Sequence, residues 1–157
     1  MCILGLLAVV LIPNFSGYLK RAGEVSCIAN MRSINVALRS YLLDHQDIWP
    51  QGPTMMEEEA WEAFWLEALE PYGITEETWQ CPTVDSSLAE QGAKKEDRPK
   101  LHYIPTVFSA ERGIAYRWSQ QPWLIERASA HGEGPLICFP DGSIKSFHKV
   151  LAEQGVR

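Results

Sequence analysis

Cys2-Ile3-Leu4-Gly5-Leu6-Leu7-Ala8-Val9-Val10-Leu11-Ile12-Pro13 opens the chain almost without a polar side chain, and from Cys27 the apolar residues return at Met31, Ile34, Leu38 and Tyr41. Steps of four, three, four and three keep one side of an α-helix apolar and leave Asn30, Arg32, Asn35 and Arg39 on the remaining surface. The reading is one long helix to about Tyr41, greasy at its start and one-sided afterwards, with the rest of the chain packed against that stripe. Pro13 lacks an N–H and pushes on the preceding turn, which predicts a kink rather than an end. Gly17 and Gly23 weaken the neighbouring turns by roughly 1 kcal/mol each, so the helix is expected to bend between Pro13 and Gly23.

The chain has 157 residues, enough for one domain and short for two. Lys and Arg number 14 against 20 Asp and Glu, a net charge of −6, which disfavours a nucleic-acid partner. No internal repeat is visible.

Beyond the first helix, Asp44 to Pro53 is a loop by its Pro and Gly content. Thr54 with Glu57 three residues on has the form of a capping box, and Glu58 and Glu59 suit the positive end of a helix. That helix carries Trp61, Phe64, Trp65, Ala68 and Leu69 at helical spacing, stops at Pro71, and is expected to lay its stripe on the first. Gly73 to Pro82 reads as one helical turn followed by an extended step. Residues 84–100 are polar and mixed in charge, a mobile surface loop by composition. Strands are expected at 101–107, an edge strand because Pro105 interrupts it, and at 114–118 and 122–127. The clearest hairpin is Leu136 to Phe139 with Ile144 to Phe147, turned by Pro140-Asp141-Gly142-Ser143. Phe147 to Gln154 reads as a closing helix. The fold class is therefore α+β, a long N-terminal helix packed on a small antiparallel sheet.

Gly5 to Phe15 with its Ile-Pro-Asn-Phe step, Tyr18 to Ala22 and Cys27 to Arg32 resemble the N-terminal helix of type IV pilins and type II secretion pseudopilins. At the other end, His131 followed by nine residues and Asp141-Gly142 is similar to the H-x9-DG signature of a prepilin-type family, and Cys81-Pro82 to its Cys-Pro step. The family helix begins upstream with a basic leader, a cleaved and methylated phenylalanine and a nearby glutamate, so the resemblance implies that about nine mature residues, two to three turns, precede Met1. Residues 2–12 span only about 17 Å as a helix, and the added turns bring the apolar run to roughly 20 residues, enough for a hydrocarbon core of about 30 Å.

The resemblance implies a structural subunit of a pilus-like or type II secretion pseudopilus fibre. Residues 1–24 would be the membrane anchor and fibre core, working through Ile3, Leu4, Leu7, Val10, Leu11, Pro13 and Phe15, and residues 25–157 the globular domain. The expected partners are copies of itself, other pseudopilins, the inner-membrane assembly machinery and membrane lipid. The subunit would sit in the inner membrane before assembly, with its globular part periplasmic or extracellular. The alternative is a membrane-tethered envelope module that does not polymerise and holds a ligand on Trp118 and Trp123.

Residues with chemistry are few. His131 with Asp141 forms either a metal or acid–base pair, or a loop hydrogen bond beside an aspartate that caps its own turn. The four cysteines make no Cys-x-x-Cys, which leaves no zinc signature. Cys2 and Cys27 act as small apolar residues on the helix. Cys81 and Cys138 form a disulfide if the domain is exported, or stay free. A thiol at either with His102 or His131 lacks any nucleophile motif, so no catalytic residue is assigned and the chain is not read as an enzyme. No cofactor is expected beyond calcium, which the pseudopilin resemblance suggests at Asp141, Ser143 and Glu133. That turn offers few of the six to eight oxygens calcium takes.

Overall fold

The computed structural model describes residues 2–53, 55 and 57–155, with side chains from Ala22 onward. Helix α1 (Cys2–Asp44) is 43 residues long and continues through Pro13, Gly17 and Gly23. The side chains of Ile3, Leu4, Leu7, Val10, Leu11, Pro13 and Phe15, expected to anchor the subunit, lie outside the described residues. Among those described, no helix is long and apolar enough to cross a membrane.

From Cys27 the expected stripe is the core face of α1. Cys27, Met31, Ile34 and Leu38 are fully buried, joined by Ala37 and Leu42, while Tyr41 is half-buried. Asn35 departs from the expected polar surface: it is buried, and its Nδ2 donates to the carbonyl of Phe139 at 3.0 Å. A second amide on the same helix, Asn30 Nδ2, donates to the carbonyl of Gln80 at 2.9 Å. A buried amide is tolerated where it is paired with a main-chain carbonyl.

Helix α2 (Glu58–Leu69) buries Trp61, Trp65 and Leu69. Its N-cap position is Glu57, which makes no side-chain cap, and Thr54 lies outside the described residues. The loop between α1 and α2 delivers the centre of the core. Trp49 stands edge-on to Phe108 at 4.8 Å, Trp123 at 5.2 Å and Trp65 at 6.1 Å between ring centroids. Such T-shaped pairs contribute beyond the apolar area they bury.

Residues 84–100 are not a mobile loop. Helix α3 (Pro82–Glu90) starts on a proline whose φ is already helical, and it turns Val84 into the core. The following segment is tied back by Arg98, which pairs with Asp85 at 2.9 Å and donates to the carbonyl of Ala93. The polar composition reflects a helix that turns Val84, and partly Leu88, to the core and leaves the other side of its surface to water.

The sheet is a four-stranded antiparallel meander in sequence order: β1 (Tyr103–Pro105), β2 (Leu124–Glu126), β3 (Leu136–Cys138) and β4 (Ile144–Ser146). Pro105 falls on the edge strand, as expected. The expected strand at 114–118 is instead a 3-10 turn, Ile114–Tyr116. Gly113 enters it at φ 72°, and Trp123 Nε1 clamps it by donating to the carbonyl of Ala115 at 2.8 Å. Helix α4 (Phe147–Glu153) follows β4, with Ser146 capping the N–H of Lys149.

Candidate functional site

Four chain segments converge where the lower core face of α1 meets the start of α3 and the middle of the sheet. Cys27 comes from α1. Cys81 is the extended residue before α3, and its N–H donates to His102 Nδ1 at 2.9 Å. Glu126 ends β2, and His131 sits in the loop between β2 and β3. Gly23 lets α1 approach closely here, since a Cβ at that position would meet Thr83 Oγ1 at 2.4 Å.

Cys27 and Cys81 form a disulfide with a Cα–Cα distance of 5.1 Å. The expected Cys81–Cys138 bridge is therefore corrected, and so is the reading of Cys27 as a small apolar residue. The core stripe of α1 points Cys27 at the Cys81-Pro82 step. Cys138 lies on β3 as a free, buried thiol whose pKa burial pushes up to about 12.

Against this disulfide lies a buried imidazole–carboxylate pair. His131 Nε2 is 3.1 Å from Glu126 Oε1 and 3.5 Å from Cys81 Sγ. The other carboxylate oxygen, Oε2, accepts the N–H of Leu136 at 3.2 Å. The side chains of both partners are almost completely shielded from solvent. The hydrogen bond to Glu126 raises the His131 pKa, against the opposing effect of burial, and the charges of Glu126 and Glu24 add to the rise. His102 goes the other way: desolvation holds its pKa down, and its Nδ1 accepts from Cys81 in the neutral form.

His131 and Asp141 are not partners in this geometry. Asp141 stays in its own turn, where Oδ1 accepts the N–H of Ser143 at 2.9 Å and the Ser143 hydrogen bonds lower the carboxyl pKa. Gly142 adopts φ 81°, its N–H closes onto the carbonyl of Phe139 at 2.9 Å, and a Cβ there would stand 3.4 Å from Asn35 Oδ1. The Asp-Gly step therefore seats the β3–β4 hairpin on α1. Glu133 accepts from the hydroxyl of Ser146. The two carboxylates considered for calcium thus each have a local structural partner. The expected ligand surface on Trp118 and Trp123 is also not formed: Trp123 is buried in the core, leaving Trp118 exposed under the Arg117 guanidinium.

Among the described residues, one group of His, Cys, Asp and Glu side chains gathers ligand atoms as a metal site does: Cys27, Cys81, Glu126 and His131, all within 4.8 Å of one another. Local spacing does not reveal it, because the cysteines are 54 residues apart and the pair beside them comes from a strand and a loop. The signal present in the sequence was the Cys27 position on the buried stripe and the lone acidic residue at the end of an apolar strand. No protein-family model, curated protein or solved structure matches the chain.

Proposed function

We propose that the protein is a structural subunit that anchors and assembles through its N-terminal helix, in the manner of a pilin or pseudopilin. The supporting observation is one helix that joins an apolar start to a core-forming end. Helix α1 has 43 residues, and among its described side chains those buried in the core run from Cys27 to Leu42. The core uses the C-terminal part of the helix, and the sequence of residues 2–12 is apolar. A long helix with a polar-free start, packed at its other end on a four-stranded antiparallel sheet, suits a subunit that buries its helical start among copies of itself or in lipid. The Cys27–Cys81 disulfide is compatible with a globular part that works in an oxidising compartment.

The test is self-association of the full chain in membranes, read by cross-linking and by electron microscopy of the membrane fraction. The reading expects oligomers or fibres that disappear on Leu7→Lys or Val10→Lys while the globular domain keeps its near-ultraviolet dichroism. A chain that stays monomeric in the membrane, or that assembles equally well with either lysine, overturns it.

A further inference from the structure

We infer that Cys27, Cys81, His131 and Glu126 are a Zn²⁺ site that opens when the Cys27–Cys81 disulfide is reduced, so that the same four residues hold either a disulfide or a metal ion. In a tetrahedral zinc site with Zn–S of about 2.3 Å and Zn–N or Zn–O of about 2.05 Å, the S···N edge is about 3.6 Å and the N···O edge about 3.3 Å. The structure has Cys81 Sγ···His131 Nε2 at 3.5 Å and His131 Nε2···Glu126 Oε1 at 3.1 Å. Two edges of the tetrahedron are thus already in place with the disulfide intact. The two sulfurs must part to about 3.8 Å, and the three remaining edges close from separations within 4.8 Å.

The energetics of burial point the same way. A disulfide in a core needs only apolar neighbours, and an imidazole–carboxylate pair costs desolvation when buried. Here both side chains are almost fully shielded, and their hydrogen-bonding atoms face the sulfurs. The donor set of two sulfurs, one imidazole and one carboxylate is of the borderline kind that takes Zn²⁺ in four-coordination. Supports of the kind that orient metal ligands are also present. The Leu136 N–H holds Glu126 Oε2, and His102 Nδ1 accepts the Cys81 N–H.

The exchange balances. A phosphine and one water reduce the S–S bond by two electrons, giving two thiols and the phosphine oxide. A dithiol does the same, leaving its own disulfide. Zn²⁺ then displaces the two thiol protons. It binds the imidazole at Nε2; the proton now directed at Glu126 leaves the imidazolium for solvent, and the neutral ring keeps its proton on Nδ1. Re-forming the disulfide requires the metal to leave.

The experiment uses the full chain in detergent, carrying Cys2→Ser so that the helix start contributes no thiol. The protein is reduced with a phosphine, freed of metal and titrated with Co²⁺ as the optical probe. The expected result is one Co²⁺ per chain, with thiolate-to-cobalt charge-transfer absorption and tetrahedral d–d bands, all displaced by Zn²⁺. The oxidised protein should show none of these. His131→Ala and Glu126→Gln should each weaken binding by at least about tenfold. If the reduced chain loses its near-ultraviolet dichroism, the site requires that Co²⁺ or Zn²⁺ restore it. Absence of the charge-transfer band, failure of metal to restore a lost fold, or wild-type affinity in both variants overturns the inference.

Discussion

Asn35 on α1 donates its side-chain amide to the main-chain carbonyl of Phe139, 104 residues later, at 3.0 Å. The same carbonyl accepts the N–H of Gly142, so one buried oxygen joins the long helix to the tip of the β3–β4 hairpin. Asn35→Leu removes the donor and drives a larger apolar group towards the turn. The carbonyl keeps its Gly142 donor, so the loss of this one hydrogen bond costs about 0.5–1.5 kcal/mol. We expect urea unfolding to show a lowered midpoint with the transition slope unchanged. An unaltered midpoint would mean the hairpin docks without this contact.

The Cys27–Cys81 disulfide closes a loop of 54 residues between α1 and α3. Chain-entropy arithmetic for a loop of that length gives up to about 4 kcal/mol at room temperature. The Cys27→Ser/Cys81→Ser double variant should lose most of this in metal-free buffer. Wild-type protein unfolded with a reductant present should follow the variant's curve. A wild-type curve indifferent to reductant would show that the bridge is not formed in solution.

Cys138 stays a thiol, buried on β3 with its pKa pushed to about 12 by desolvation. A thiolate is the reactive form, so alkylation at pH 8 should leave it untouched in the native protein and modify it fully in denaturant. Peptide mapping by mass spectrometry separates it from Cys2. Native-state labelling of Cys138 would contradict the packing of β3 against α1.

Parts of this architecture were legible in the sequence because they rest on local physics. The α1 stripe from Cys27 to Leu38, the α2 tryptophans and the Asp141-Gly142 hairpin all follow from periodicity or turn chemistry. What was missed depends on distant partners. Polar composition hid α3, whose fixed points are Pro82, Val84 and the Arg98–Asp85 pair. The 3-10 turn at Ile114 depends on a tryptophan eight residues away clamping Ala115. The pairing of Cys27 with Cys81 and the arrival of Glu126 and His131 beside them are set by the sheet's seat on α1. No spacing rule encodes that.

His102 and His131 flank the same disulfide and should give the oxidised, metal-free protein opposite dependences on pH. The pKa of His131 is raised, chiefly by its hydrogen bond to Glu126. Its protonated form is favoured in the fold, so the stability it adds is fully present below the unfolded value of 6.5 and is lost as pH rises through the raised folded value. His102 is depressed by desolvation, and its Nδ1 must stay unprotonated to accept from Cys81. Its contribution is present above 6.5 and is lost as pH falls towards the lowered folded value. Thermal unfolding from pH 4.5 to 8.5 should separate the two. His131→Gln, whose amide can replace the Nε2–H donor, should flatten the loss on the alkaline side. His102→Asn, whose carbonyl can replace Nδ1 as acceptor, should flatten the loss on the acid side. Identical pH profiles for the wild type and both variants would show that neither ring changes its protonation on unfolding, and the buried geometry around Cys81 would have to be redrawn.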